Sequence, residues 1–411
     1  MRRPHLIAAL VAVVALSAVL VVGAQARVSV TTGKKPVSTF ASPSGTITLN
    51  GYQSSPQEEA RLAKVIRDFQ KKYPKIHVNY QSFNNYQATL LAKFASHKPP
   101  DVFYVAAEDF ADWVRQGILQ PLDSYAKASK FSSKPFIQSL LNTFKYKGHL
   151  YGYPKDWSSL GMEINTKLLA GNPVPKTWAQ LTAVAKKIKV PNGKAICLQA
   201  DWARLMAFVY QAGGNGQFAS ATSLPFRTAT NYYLGLIKSG LAALNTDLGS
   251  SWCGEAFGKE RAAIAFEGNW IFPPMATTYP NVKFVTAPLP KGKRYGNLAF
   301  TVAYSMAKDS KNKPAAWTLL KYLVGRPGMQ QWINLGLALP TRKDVHPVSG
   351  RTAFIRHPGS VHGWGNQVAF RHLWTDVANN ELTAVIDGKE SVNTMLQKIS
   401  AAAKYPAATS L

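Results

Sequence analysis

Two cysteines and 21 acidic residues are all that this 411-residue chain has of either kind. The cysteine shortage excludes a disulfide-dense scaffold and any zinc or iron–sulfur site built from several thiolates. Histidine is sparse too, eight in all and without paired ligand spacing, so neither a metal site nor a cofactor is expected. Also missing are H-E-x-x-H, G-x-S-x-G and G-x-x-x-x-G-K-[ST], the signatures of zinc peptidases, serine hydrolases and nucleotide-binding loops. The acid shortage leaves 48 Lys+Arg uncompensated, for a net charge of +27. Those cations are spread along the chain. The densest runs, Lys186-Lys187 and Lys291-Gly292-Lys293-Arg294, are short and lack interleaved aromatics, which speaks against a nucleic-acid partner. The charge suits an anionic membrane or wall surface, or an acidic medium.

What is present begins with a leader. Met1-Arg2-Arg3 precedes an apolar run from Leu6 to Val22, and Ala24-Gln25-Ala26 supplies a small-residue cleavage pattern. Residues 1–26 read as a secretory signal peptide. The run is also just long enough to remain as an uncleaved anchor. Either way the expected location is outside the cytoplasm, secreted or at the cell surface. Residues 27–45, rich in Ser, Thr, Lys, Pro and Val without periodicity, read as a flexible tether.

Ordered structure is expected from Thr46. Ile47 and Leu49 alternate as in a strand, and Ser55-Pro56-Gln57-Glu58 is a capping box. It opens a helix with Leu62, Val65, Ile66, Phe69 and Tyr73 at helical spacing. Ile76, Val78 and Tyr80 mark a second strand. A helix through Tyr86, Leu90, Leu91 and Phe94 follows, and then the buried strand Asp101–Val105. Strand–helix–strand–helix–strand predicts a parallel, doubly wound sheet with ligands off the carboxyl ends of its strands. A second such region starts near residue 160, with a capping box at Thr177–Gln180 and helices near 203–212 and 226–240. Strands at Ala262–Phe266 and Val282–Val285 follow, then one long helix over Lys313–Ile333 and closing helices from about 366.

Several stretches, in order, resemble the extracellular solute-binding proteins of ABC importers, the branch that includes maltose- and other sugar-binding proteins. Phe69-Gln70-Lys71-Lys72-Tyr73-Pro74-Lys75-Ile76-His77-Val78 is similar to that family's F-x-x-x-Y-P-x-I-x-V entry into the second strand. Pro99-Pro100-Asp101-Val102 and Gly117-Ile118-Leu119-Gln120-Pro121-Leu122-Asp123 resemble its PDV … G-x-L-x-P-L-D stretch. Tyr151–Pro154 with Asn165–Leu169 resembles its first crossover, Val174–Trp178 its P-x-T-W, and Ala262–Trp270 its A-A-M-x-x-x-G-x-W. The resemblance spans nearly all of residues 46–404.

It implies a two-lobe α/β fold of the type II periplasmic-binding-protein kind. Each lobe is a doubly wound sheet flanked by helices, and hinge crossovers near 155–160, 285–300 and 340–360 join them. Lobe one would be residues 46–156 plus 300–340, and lobe two 160–285 plus 350–411. The implied function is capture of a sugar in the interlobe cleft by hinge closure, and delivery to permease subunits by a monomeric receptor rather than an enzyme. A secreted glycoside hydrolase, needing only two carboxylates across a cleft, and a receptor for a peptide, polyamine or anion are the alternatives.

A sugar site needs flat aromatic rings for C–H faces, and acids and amides for hydroxyl pairs. Where relatives place such residues, this chain has Trp270 after the Ala262–Phe266 strand, Asp201 and Trp202, and Glu108 at the end of the Asp101–Val105 strand. Tyr52 and Gln53 follow the first strand, Asn84 the second, Asp156 and Trp157 sit on the first crossover, and Trp364 lies between Gly363 and Gly365. Each has a plainer reading in core packing, helix capping or hinge stiffening. Cys197 and Cys253, both in the second lobe of a secreted protein, are expected to pair.

Overall fold

The computed structural model describes residues 43–52, 56–336, 338–365 and 367–405. The leader, most of the tether and Gln53 lie outside them.

Alternation places Ile47 and Leu49 of strand β1 (Gly45–Tyr52) in the core. Helix α1 (Pro56–Lys72) begins with Glu58 and Glu59 and ends with Lys71 and Lys72, each charge matched to its end of the helix dipole. Its Leu62, Val65, Ile66 and Phe69 are buried against the sheet. Strand β2 (Ile76–Phe83), helix α2 (Tyr86–Ala95), strand β3 (Val102–Ala106) and helix α3 (Ala107–Arg115) complete the expected alternation. β1 pairs in parallel with both β2 and β3, Tyr52 opposite Phe83.

After a small hairpin, β4 (Lys145–Tyr146) and β5 (His149–Leu150), strand β6 (Gly152–Ser159) turns at Leu160 into β7 (Gly161–Asn165) of a second sheet. β8 (Lys194–Leu198), β9 (Ala242–Leu244), β10 (Ala262–Glu267) and β11 (Phe284–Ala287) complete that sheet in the order β11-β7-β10-β8-β9. The chain then returns through β12 (Asn297–Met306), which pairs antiparallel with both β3 and β6.

Three features differ from the sequence reading. The sheets are mixed, not wholly parallel: β7 runs antiparallel to β10 and β11, and β12 runs antiparallel to β3 and β6. The helix expected over 313–333 is two, Lys313–Leu323 and Arg326–Ile333. Pro327 lacks an amide hydrogen and is tolerated only in a first turn, so the chain restarts there. Strand β13 (Val361–Gly363), inside the stretch expected in lobe two, pairs with β12 of the first sheet.

Each sheet has its own core. The first gathers Phe69, Phe103, Phe110, Tyr153 and Trp317. The second gathers Phe208, Phe226 and Tyr233, together with Phe370, Leu382, Met395 and Ile399 from the closing helices. Cys197 at the end of β8 is bonded to Cys253, Cα to Cα 5.5 Å, tying the helix Cys253–Gly258 to the second sheet. Among the described residues no helix is long and apolar enough to cross a membrane.

Candidate functional site

The carboxyl ends of β1, β3, β8 and β10 converge beside the two strands that pass between the sheets. The Asn269 amide, just past β10, donates to Ser158 Oγ on β6 at 3.2 Å. Gly365, just past β13, lies against the start of α3, where a Cβ would come within 2.7 Å of the Ala107 carbonyl and the Glu108 nitrogen. With φ at +101°, that position needs glycine twice over. These contacts bring residues of both sheets to one region beside the crossing strands.

On the first wall, the Tyr52 ring stands edge-on to Tyr104 at 5.2 Å and to Tyr86 at 5.8 Å. Burial, then the charges of Asp156, Glu108 and Glu58, push its phenol well above the usual tyrosine range. Asp156 on β6 holds Lys155 and accepts the Trp332 indole N–H at 2.7 Å. The Lys155 ammonium lies 3.9 Å from the centre of the Trp332 ring, a cation–π contact. Glu108, 19% exposed, is pushed up to about 7 by burial and by Asp109, against the opposing pull of Arg371. Arg371 comes from beyond the last crossover. It grips Asp109 through Nε and Nη2 at 2.7 and 2.9 Å and reaches Glu108 at 3.5 Å.

On the second wall, Glu267 ends β10 and is fully buried. Its Oε2 accepts Arg204 Nη2 at 2.8 Å and Trp270 Nε1 at 2.9 Å. Burial raises its pKa and Arg204 opposes the rise. Gly268 lets the half-buried Trp270 ring fold back over the chain, since a Cβ there would meet the ring at 2.2 Å. The ring meets Phe300 of β12 at 5.5 Å and the Arg204 guanidinium at 5.6 Å. Asp201 caps the helix Trp202–Gln211 through Ala203 N, pairs with Arg204 at 2.9 Å, and accepts Trp374 Nε1 at 2.8 Å.

Of the residues singled out from sequence, Tyr52, Glu108 and Asp156 come together on one wall, and Asp201 and Trp270 on the other. Asn84 is exposed on the turn after β2, and Gln53 lies outside the described residues. Three tryptophans are corrected. Trp202, wholly buried, packs against Phe218 at 5.6 Å and Phe226 at 5.9 Å, because the Asp201 cap turns it inward. Trp157 fills the hinge with Leu140, Leu339 and Phe354, its indole donating to the Pro340 carbonyl. Trp364 is enclosed by Phe218, Phe300, Phe370 and Trp374. None of the three offers a face to a ligand. Sequence reasoning missed Lys155, Arg204, Trp332, Arg371 and Trp374 as partners of these groups. Only Arg204 carried a signal, three residues after Asp201 on one helix face.

Two α/β lobes joined by crossing strands, with aromatic and carboxylate groups gathered where the carboxyl ends of their strands meet, define a two-lobe solute-binding protein. Residues 53–330 match the family of bacterial extracellular solute-binding proteins, and the chain belongs to that family. A multiple sugar-binding protein of Streptococcus mutans is 24% identical over 321 residues, covering 70% of this chain and 74% of that one. An ABC substrate-binding protein of Listeria monocytogenes, solved in complex with cycloalternan, superposes with a TM-score of 0.76 at 21% identity, covering 87% and 97%. The sugar-binding protein MalE of Xanthomonas citri gives 0.76 at 21% identity, covering 87% and 96%.

Proposed function

We propose that this chain is the extracytoplasmic receptor of an ABC importer. It captures a sugar or oligosaccharide between its lobes, closes on it, and delivers it to permease subunits. The closing bodies are residues 46–156 with 300–340, and 160–285 with 350–411 less the strand at 361–363.

The observation that carries the reading is Trp270. A half-buried indole is fixed at its nitrogen by Glu267, meets Phe300 edge-on and has the Arg204 guanidinium over its ring. Such a ring takes the C–H face of a pyranose while fixed acceptors take its hydroxyls. Relatives named for sugars support the same reading. Nothing in the mechanism breaks a bond: binding energy shifts the balance between open and closed arrangements, and the transporter supplies the work.

The test is a thermal-shift screen over neutral, amino and acidic saccharides, peptides and polyamines. A ligand at a hundred times its Kd adds about 2.7 kcal/mol to stability. Trp270→Ala should weaken the sugar that scores by at least tenfold, about 1.4 kcal/mol. A sugar that is cleaved points to a glycoside hydrolase. A shift given only by a non-sugar removes the carbohydrate reading and leaves the fold.

A further inference from the structure

The basic run Lys291-Gly292-Lys293-Arg294 is not taken up by the sugar site. Its first residue is pinned in place: the Lys291 amide donates to the Lys176 carbonyl at 2.9 Å, and the Lys291 carbonyl accepts the Trp178 amide at 3.1 Å. Beside that bridge, between β11 and the short helix Thr352–Ile355, opens a cavity of about 570 Å³. Small-molecule sites have this size, about 300–1,000 Å³. None of the residues gathered around Tyr52 or Trp270 lines it.

The lining is largely apolar, from Val285, Ala287, Pro288, Leu289 and Ala353. Val285 and Tyr295, both in that lining, are two of the four large apolar side chains left exposed among the described residues. Exposed apolar surface gathered in one concavity, rather than scattered singly, marks a binding site. An adjoining hollow shares Leu289, Tyr295 and His357 and reaches Asn297 and Val361, the first residues of β12 and β13. The cavity therefore lies at the crossing segments, against both sheets.

Charge is the second observation. Lys176, Arg356 and His357 line the cavity, and no carboxyl group stands with them. Lys176 and Arg356 are exposed and make no ion pair among the described residues. Lys155, Arg204 and Arg371 beside the sugar site are, by contrast, each held by a carboxylate. The Lys291 ammonium, 5.7 Å from the centre of the Tyr295 ring, adds a third cation close by, and His357 stacks on that ring at 3.7 Å. Unpaired cations beside a concave apolar surface are complementary to a molecule with an apolar body and one anionic head.

We propose that this cavity is a second binding site, for a small amphiphilic acid. Its alkyl body sits against Val285, Leu289 and Ala353, and its carboxylate or phosphate turns to Lys176 and Arg356. The apolar body supplies the affinity, and the unpaired cations supply the preference for an anion over a neutral or cationic counterpart. The occupant touches the crossing segments and no part of the sugar site.

The experiment is isothermal titration calorimetry of the full chain with octanoate, below the concentration at which it forms micelles. Octanol and octylammonium serve as neutral and cationic counterparts. Octanoate should bind one to one, and at least tenfold more tightly than either counterpart. The double variant Lys176→Glu/Arg356→Glu should weaken octanoate at least tenfold and remove its advantage over octylammonium. Val285→Asp should weaken it by a similar factor, with circular dichroism unchanged in both variants. The site is overturned by an absence of saturable octanoate binding, by equal binding of the three probes, or by either variant binding octanoate as tightly as the original chain. Binding to phosphatidylglycerol vesicles without binding of free octanoate overturns it too, and assigns the surface to a membrane. The carbohydrate reading is tested separately, by Trp270→Ala.

Discussion

Replacing Arg204 by Leu tests how the second wall is held. Glu267 is fully buried, and among the described residues its one paired cation is Arg204, whose Nη2 lies 2.8 Å from Oε2. Without the guanidinium, one charged hydrogen bond, from Trp270 Nε1, remains. Removing one partner of a buried ion pair costs about 3–5 kcal/mol, because the other charge is left uncompensated. The cost should depend on pH in a defined direction. Burial already raises the folded pKa of Glu267 above the ordinary glutamate value, and Arg204 is the largest influence opposing the rise. A carboxyl group whose folded pKa is raised contributes its full stability below the unfolded value and loses it as pH rises through the folded one. Arg204→Leu moves the folded value higher still, so its deficit in urea unfolding should be larger at pH 8 than at pH 5. Adding Glu267→Gln should recover most of the deficit at pH 8. An equal deficit at both values, with no recovery in the double variant, would refute the buried-charge reasoning and assign the loss to packing of the Arg204 stem.

Trp202→Ala should destabilise the protein by about 3–5 kcal/mol, the range for emptying a buried aromatic site, and should alter ligand affinity much less than Trp270→Ala; chemical unfolding and calorimetry separate the two. Replacing both cysteines by alanine opens a loop of sequence separation 56 and should cost about 4 kcal/mol by chain entropy, read as a shift in the urea midpoint. Glu108→Gln should stabilise the protein by up to about 3 kcal/mol at pH 8, at roughly 1.4 kcal/mol per pKa unit, since the native carboxyl titrates at about 7 rather than 4.5. That gain should fade toward pH 5, where the native Glu108 is protonated when folded; a gain independent of pH would show that charge is not its origin.

Periodicity made most of the first lobe legible. The 3.6-residue spacing of Leu62, Val65, Ile66 and Phe69 and the alternation of Ile47 and Leu49 each reflect one buried face, so α1 and β1 could be placed from the residues alone. β12 carries no such signal. Asn297–Met306 is buried on most of its length, from both sides, so its residues show no apolar–polar alternation to mark it as a strand. The division of the 313–333 helix could have been found from Gly325 and Pro327, where local chemistry outweighs the apolar period.

Sequence supplied residue types near strand ends, and the fold brings Tyr52, Glu108 and Asp156 near one another and Asp201 and Trp270 together through Arg204. Whether a tryptophan near a strand end is a platform or a plug depends on what covers its faces. Trp202 and Trp364 are covered by Phe218, Phe226 and Phe370, residues far apart in the chain and near only after folding. Arg371 and Trp374 reach Glu108 and Asp201 from beyond the last crossover, 263 and 173 positions away in the chain. The order of elements and the family likeness follow from local pattern, because propensity and burial period act over a few residues. Which indoles are covered, and which cations reach Glu108 and Glu267, arise from long-range contacts, and only the folded arrangement decides them.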